Sequence, residues 1–132
     1  MQGGTGDDPL LGGTGNDTLI GGEGVDFMMG NGGIDTFVFE SIADVASGSG
    51  RDRIGDFEDG LETIDLSGLG ELAFGGNAAV GGGTASVWGV AFQAGRSTLI
   101  RLDFDGNGTV DGAIVVRDLA YSDFGLDDLI LA

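Results

Sequence analysis

The feature that most constrains the fold of this chain is a nine-residue unit repeated between Gly3 and Phe39. Every copy has glycine at positions one and four and aspartate at position six, and the four copies begin at Gly3, Gly12, Gly21 and Gly30. Position eight is apolar in each copy, where it is occupied by Leu10, Leu19, Met28 and Phe37. A flexible glycine-rich linker would not keep an apolar residue in register every nine positions, so the repeat predicts ordered loops that alternate with very short strands.

The unit also contains the oxygen ligands of a hard cation. Glycine reaches positive φ without steric cost, so the glycine at position four allows a tight loop whose carbonyl groups turn toward a common point. The aspartate at position six adds a carboxylate, and ligation by carboxylates and carbonyls alone is typical of calcium. The sequence therefore predicts several Ca²⁺ ions, with candidate ligands at Asp8, Asp17, Asp26, Asp35, Gly4, Gly6, Gly13, Gly15, Gly22, Gly24 and Gly33.

This unit resembles the GGxGxDxUx nonapeptide of RTX (repeats-in-toxin) proteins, over the first third of the chain. The resemblance implies a right-handed parallel β-roll in which two units form one coil and calcium lies between stacked loops. Asp8 would then lie above Asp26, and Asp17 above Asp35. Pro9 cannot donate a ladder hydrogen bond, so its strand is expected at an edge or a frayed end. Asn31 replaces the second glycine of the last unit and is expected to mark the end of the regular array.

The segment after the repeats contains a looser version of the same pattern. Residues 40–46, which include Asp44, are predicted to form an exposed turn or one short helical turn, and residues 48–54 a degenerate fifth loop. The segment is similar to the region that follows the repeats in serralysin-type metalloproteases and in R-modules of mannuronan (alginate) epimerases. The matching residues are Asp52, Ile54, Asp56, Phe57, Gly60, Ile64, Asp65, Leu66 and Ser67, while Glu62 stands where aspartate is usual. The resemblance implies further calcium at Asp52, Asp56 and Asp65; the alternative is that these acids only solvate edge loops.

The second half of the chain predicts antiparallel strands. Residues 68–95 are expected to form β-hairpins in which Trp88 belongs to the core rather than to a sugar-stacking surface. Residues 98–117 alternate as a hairpin, and Asp103, Asp105, Asn107 and Asp111 between its strands have the spacing of the first part of an EF-hand loop. Ile114 stands where the closing glutamate would be, so a true EF-hand is excluded. Calcium at this loop is a weaker candidate than a plain hairpin turn.

Charge and composition restrict the classes of function. The net charge is −17, with 22 acidic residues against 5 basic ones, so nucleic acid and anionic membrane are unfavourable partners. Bound cations would relieve the repulsion among the carboxylates, so metal binding and folding are expected to be one event. The chain has no cysteine and no histidine, which excludes thiolate sites and most zinc and triad chemistry. No sequence motif supports a hydrolase with paired carboxylates, and we expect a non-catalytic module.

These observations predict one all-β domain over residues 1–132. Residues 3–67 form the β-roll and its degenerate continuation, and residues 68–132 an antiparallel β cap that ends in an acidic and apolar tail. In the families named above such a tail resembles a signal for the type I secretion apparatus, although residues 129–131 also fit the last strand of a sheet. The resemblance implies secretion from a Gram-negative bacterium into the extracellular medium. Met1 directly before the first unit suggests a C-terminal piece of a longer protein with an upstream domain.

The alternative function is an extracellular module that binds an acidic polysaccharide, as R-modules do in alginate epimerases. The candidate ligands for uronate carboxylates are arginines that must share one face for this purpose. They are Arg51, Arg53, Arg96, Arg101 and Arg117.

Overall fold

The computed structural model describes residues 1–45, 50–76, 78–93 and 96–132. Its strands are β1 (Gln2–Thr5), β2 (Pro9–Thr14), β3 (Thr18–Glu23), β4 (Phe27–Gly32), β5 (Thr36–Val38), β6 (Asp52–Ile54), β7 (Thr63–Asp65), β8 (Ala73–Phe74), β9 (Ser86–Phe92), β10 (Ser97–Asp103), β11 (Gly112–Arg117) and β12 (Leu129–Ile130). A short helix, α1 (Ile42–Val45), and two 3₁₀ turns, Ser67–Leu69 and Leu126–Asp128, complete the described elements.

The strands form two sheets in the described part of the chain. One sheet has five strands in the order β1-β3-β5-β7-β12, and all of its pairs are parallel. The other has seven strands in the order β2-β4-β6-β11-β10-β9-β8. The inner faces of the two sheets share one hydrophobic cluster, to which the repeats contribute Leu10, Leu19, Met28 and Phe37. The predicted all-β fold with a parallel roll is therefore confirmed.

The repeats pair in the predicted register. Leu19 lies opposite Phe37 in the five-stranded sheet, and Leu10 lies opposite Met28 in the seven-stranded sheet. Units eighteen residues apart are thus stacked, and two units make one coil. Pro9 begins β2, which is an edge strand, as its missing N–H predicts.

The parallel stacking continues beyond the fourth unit. Ile54 of β6 pairs with Met28, and Ile64 of β7 pairs with Phe37, so both sheets of the roll gain a further strand. The strand of the predicted fifth loop is therefore present, while residues 48 and 49 of that loop lie outside the described residues.

The second half of the chain extends the sheets of the roll. β11 pairs with β6 in parallel, and β11, β10 and β9 are antiparallel, as predicted for a cap that contains a hairpin over residues 98–117. The expected hairpin before β9 is wrong, because β8 pairs with β9 in parallel. The connection between the two strands contains an isolated antiparallel bridge between Gly81 and Thr84. β12 joins the five-stranded sheet beside β7, so Leu129 and Ile130 do form a last strand.

The segment after β5 differs from the expected exposed turn. It contains α1, in agreement with the helical alternative, but Asp44 and Val45 are buried. The Asp44 carboxylate accepts the N–H groups of Glu40 and Ser41 at 2.8 and 3.1 Å and the Ser41 hydroxyl at 2.7 Å. These N–H groups lie at the start of the helix and have no partner within it. Asp44 is buried because its carboxylate accepts their hydrogen bonds. Among the described residues, no helix has the length and apolar character needed to cross a membrane.

Candidate metal sites

Three acids lie one above another where strands of the seven-stranded sheet begin. This first column consists of Asp8, Asp26 and Asp52. The Asp8 N–H donates to Asp26 Oδ1 at 2.9 Å, and the Asp26 N–H donates to Asp52 Oδ1 at 2.7 Å. The second oxygens of Asp8 and Asp26 are buried and have no hydrogen-bond partner among the described residues. The structure therefore stacks Asp8 on Asp26 as predicted and adds Asp52 to the same column.

A second column of stacked acids lies where strands of the five-stranded sheet begin. It consists of Asp17, Asp35 and Glu62. The Asp17 N–H donates to Asp35 Oδ1 at 2.8 Å, and the Glu58 N–H donates to Glu62 Oε2 at 3.0 Å. Asp17 Oδ2, Asp35 Oδ2 and Glu62 Oε1 are buried without a partner in the described part of the chain. The sequence shows Glu62 at a position where aspartate is usual, but Glu62 was not predicted as a ligand. Its position directly before a strand of alternating apolar residues, like that of the repeat aspartates, would have indicated this role.

The glycines of the repeat make room for these carboxylates. A Cβ atom at Gly21 would overlap Asp26 Oδ2, and one at Gly30 would overlap Asp35 Oδ2. Position one of the unit is therefore glycine because the carboxylate of the same loop packs against its Cα atom. The requirement is steric and does not depend on the backbone angles at these two positions.

Carbonyl oxygens lie between successive loops of each stack. Cβ atoms at Gly22, Gly24 and Gly33 would overlap the carbonyl oxygens of Gly4, Gly6 and Gly15 in the loop above. The backbone at positions two and four is left-handed throughout, with φ between 96° and 142° for the glycines and 68° for Asn31. Asn31 thus keeps the loop conformation of the glycine it replaces. Gly13 has the same conformation in the second column, with φ of 108°, and pairs with Asn31.

Position five supplies a further contact between stacked loops. Asp7 Oδ1 accepts the Val25 N–H, and Asn16 Oδ1 accepts the Ile34 N–H, each at 2.9 Å. The polar residue is therefore found only in the upper loop of each pair. Sequence reasoning missed this role, and the change from Asp and Asn to Val and Ile at position five was its signal.

The unpartnered oxygens require a counter-charge. An ionised carboxylate taken out of water without a partner costs several kcal/mol, and acids stacked in columns also repel one another. A calcium ion between the loops would satisfy both the carboxylates and the carbonyls, because it accepts six to eight oxygen ligands in flexible geometry. The donor set of the two columns therefore fits calcium.

The remaining predicted ligands have structural hydrogen bonds. Asp56 accepts the N–H groups of Gly30 and Asn31 at 3.0 and 2.7 Å. Asp65 accepts the N–H and hydroxyl groups of Ser67 at 2.9 and 2.6 Å, and it pairs along the sheet with Val38 and Ile130 rather than with an acid. Neither residue continues a column.

The loop between β10 and β11 brings Asp103, Asp105 and Asp111 together, with carboxylate oxygens within 4.8 Å of one another. Asp103 accepts the N–H groups of Gly106 and Gly108, both at 2.7 Å, and Asp111 accepts that of Phe104 at 2.8 Å. Burial acts to raise the pKa of Asp103, but these backbone donors outweigh it and the pKa lies below its usual value. The Asn107 amide bonds to Asp105 and Thr109 inside the loop. These hydrogen bonds are sufficient to explain why the three acids lie close together in this turn.

Burial also makes proton binding compete with metal binding in the columns. It is the main cause that raises the pKa of Asp52 and of Glu62 to about 7, and it raises the pKa of Asp26 as well. Neighbouring acids add to the effect, chiefly Asp26 beside Asp52 and Asp56 beside Glu62.

We expect the stability of the calcium-free fold to decrease as the pH rises. The folded chain holds protons on Asp52 and Glu62 up to about pH 7, whereas unfolded carboxyls release theirs near pH 4, so stability declines between these limits. Far-UV circular dichroism of calcium-stripped protein should show more β structure at about pH 5 than at about pH 7.5. The double variant Asp52→Asn with Glu62→Gln should lose much of this difference, while Asp123→Asn, an exposed acid, should keep it. Equal β content at both pH values in the native sequence would contradict the expectation.

Comparisons with known proteins agree with this geometry. The family model of the RTX calcium-binding nonapeptide repeat matches residues 2–37, in four copies. No curated protein matches the sequence significantly. The solution structure of the AlgE6R2 subunit of the Azotobacter vinelandii mannuronan C5-epimerase has a TM-score of 0.69 and 24% identity, over 100% of this chain and 92% of that chain. The AlgE6R3 subunit of the same epimerase has a TM-score of 0.63 and 24% identity, over 98% of this chain and 81% of that chain. Residues 2–37 are therefore RTX calcium-binding nonapeptide repeats, on a fold that the chain shares with these two epimerase subunits.

Proposed function

We propose that this calcium-binding module folds when it binds calcium and that it serves as the C-terminal export and folding module of a larger secreted bacterial protein. The observation that carries the proposal is the set of buried carboxylate oxygens without partners along the two columns. With 22 acidic residues and a net charge of −17, the chain cannot close these columns at neutral pH unless cations are present.

The calcium concentration is low in the cytoplasm and high in the medium, and this difference would make the chain fold only after export. At the low calcium concentration of the cytoplasm, the acidic chain stays unfolded and passes a type I secretion channel. Outside, calcium enters the loops and the roll folds, so that folding follows export. The module then provides a folded end beside the upstream domain of its parent protein.

Removing calcium should unfold the roll. Extracellular calcium sites have dissociation constants of roughly 10⁻⁴ to 10⁻³ M, so calcium at ten times that value stabilises the fold by about 1.4 kcal/mol per site. Four or five sites contribute about 6 to 7 kcal/mol, which is comparable with the whole stability of a small domain. Far-UV circular dichroism should show loss of β structure in chelator and recovery with millimolar calcium. Magnesium should not substitute, because it sheds water reluctantly. A full β spectrum and an unchanged melting temperature in chelator would refute the proposal.

We expect export to require residues 129–132 because the secretion apparatus recognises them as a signal, and not because they form a strand in the folded module. Deletion of residues 129–132 should reduce export from a strain that carries the matching secretion apparatus. Leu129→Ala is the matched control, since Leu129 is 8% exposed and its truncation weakens the fold without removing the tail. Because export precedes folding, this control should be exported normally. Equal export of the deletion and the native sequence would show that the tail is only a strand.

A second candidate function is binding of an acidic polysaccharide, and the placement of the arginines favours it. Arg53 lies beside Val115 in the seven-stranded sheet, and Arg101 lies beside Ala113, so both point to the outer face that carries a small apolar cluster of Leu99, Ala113 and Val115. Arg51, Arg53 and Arg117 line a groove of about 650 Å³ on this face, together with Phe92 and Asp111.

The groove combines charge and apolar surface, which are the features that a uronate chain requires. The planar guanidinium group donates two parallel hydrogen bonds to a carboxylate, so arginines on this face suit an anionic ligand. Trp88 is 5% exposed and is therefore buried, as the sequence predicts, although it pairs with Arg101 and so lies on the same face. Stacking on a sugar would have to involve Phe92 instead.

Calorimetric titration with uronate oligomers tests this second function. We expect defined heats at micromolar to millimolar affinity for the calcium-loaded protein, and none with neutral oligomers of the same length. The double variant Arg53→Gln with Arg117→Gln should bind at least about tenfold more weakly, since each charge-assisted hydrogen bond contributes about 1.5 to 3 kcal/mol. Arg96→Gln is the matched control, because Arg96 is exposed and is not part of the groove lining. Absence of heat with uronate would leave the export module as the only supported function.

A further inference from the structure

The C-terminal strand is held at the edge of the five-stranded sheet by few contacts. β12 has two residues, and Leu129 lies opposite Ile64 of β7. The Leu66 N–H donates to the Ile130 carbonyl at 2.9 Å. A two-residue edge strand has little intrinsic stability, so its attachment depends on whatever fixes the turn before it.

That turn contains a buried acid outside the two columns. Asp128 is 1% exposed, and its Oδ2 accepts the Gly125 N–H at 2.8 Å. Its other oxygen, Oδ1, is buried and has no hydrogen-bond partner among the described residues. The register of β12 on β7 places Asp128 beside Thr63, the first residue of β7. Glu62 of the second column is the residue immediately before Thr63.

Another acid lies beside Asp128. Asp59, in the turn before β7, lies close enough to Asp128 for a hydrogen bond if one of the two carboxyls carried a proton. Two ionised carboxylates are both acceptors and cannot bond to each other, so the pair needs either a shared proton or a cation. A cation held by both carboxylates would satisfy the buried oxygen of Asp128 and remove the repulsion between the two acids.

We propose that Asp128 and Asp59 bind a further calcium ion between the C-terminal turn and the turn that precedes β7, and that this ion fastens β12 to the five-stranded sheet. The ligand chemistry is that of a hard divalent cation, since only oxygen donors converge there and water can complete the coordination shell. The site lies outside the nonapeptide repeats and links the continuation of the roll, at Asp59, to the C-terminal turn, at Asp128. This inference rests on the proposed calcium-driven folding and extends it to the C-terminal strand. Without calcium at this site, β12 stays detached from the five-stranded sheet.

Asp128→Asn and Asp59→Asn test the site, with Asp123→Asn as the matched control. The amide oxygen of the first replacement can still accept the Gly125 N–H, so the turn is preserved while one carboxylate is lost. Asp59 is exposed, so its variant keeps the test independent of any folding defect at position 128. Asp123 is exposed, lies in the same segment and removes an equal charge.

Two measurements on the full chain decide the outcome. At about 10 mM calcium, equilibrium dialysis should find one ion fewer per chain in each test variant than in the native sequence and in Asp123→Asn. Hydrogen exchange followed by NMR should show the Leu66 amide exchanging about tenfold faster in both test variants, as loss of one site occupied at ten times its dissociation constant implies. The Thr36 amide, which donates to the Asp17 carbonyl in the roll, should be unaffected.

An unchanged ion count and an unchanged Leu66 exchange rate in both variants would overturn the site and leave a shared proton as the link between the two acids. This failure is distinct from failure of the proposed function. In that case the native sequence itself would show no calcium-dependent exchange protection at Thr36.

Discussion

The stacking of carboxylates between successive coils is the constraint on which the rest of this structure depends. Asp26, Asp35 and Asp52 each accept a backbone N–H of the neighbouring coil, and these hydrogen bonds fix the spacing of the coils. In five of the six acids of the columns, all except Asp52, a second carboxylate oxygen is buried where the described residues offer it no donor. Hydrogen bonding and charge repulsion therefore oppose each other at every level of the roll. A bound cation reverses the repulsive term without disturbing the hydrogen bonds, and it makes the same geometry stable.

This constraint also explains the composition of the loops. The carboxylate packs against the first glycine, and the next loop packs against carbonyl oxygens, so a Cβ atom at several of these positions would overlap an oxygen. Glycine is costly in a folded chain because it loses more conformational entropy than other residues. The repeats accept that cost because the ion sites require loops in van der Waals contact. Binding of the ion and close packing of the backbone are thus two aspects of one arrangement.

Charges of opposite sign are separated in the folded molecule. Acids occupy the ends of strands and the turns, where the columns lie, while Arg53, Arg101 and Arg117 project from the outer face of the seven-stranded sheet. A chain with a net charge of −17 therefore presents one surface on which basic groups are concentrated beside apolar ones. Such separation allows one module to hold cations at its edges and to meet an anionic partner on its face.

The sequence by itself determined the roll, its register and most of the two columns. Contacts between residues eighteen positions apart are encoded by the repeat, since a fixed spacing places Asp8 on Asp26 and Leu19 on Phe37 wherever the coils stack. Pro9 at an edge strand followed from its missing N–H. The tertiary structure alone decided that β8 runs parallel to β9, that Asp44 is buried as a helix cap, and that the arginines of three different segments share a face. It also decided that Glu62 and Asp128 turn inward. These features depend on pairings such as β6 with β11 and β7 with β12, which join distant segments of the chain. No local spacing encodes such pairings, because they form against sheets whose shape exists only after the roll has folded.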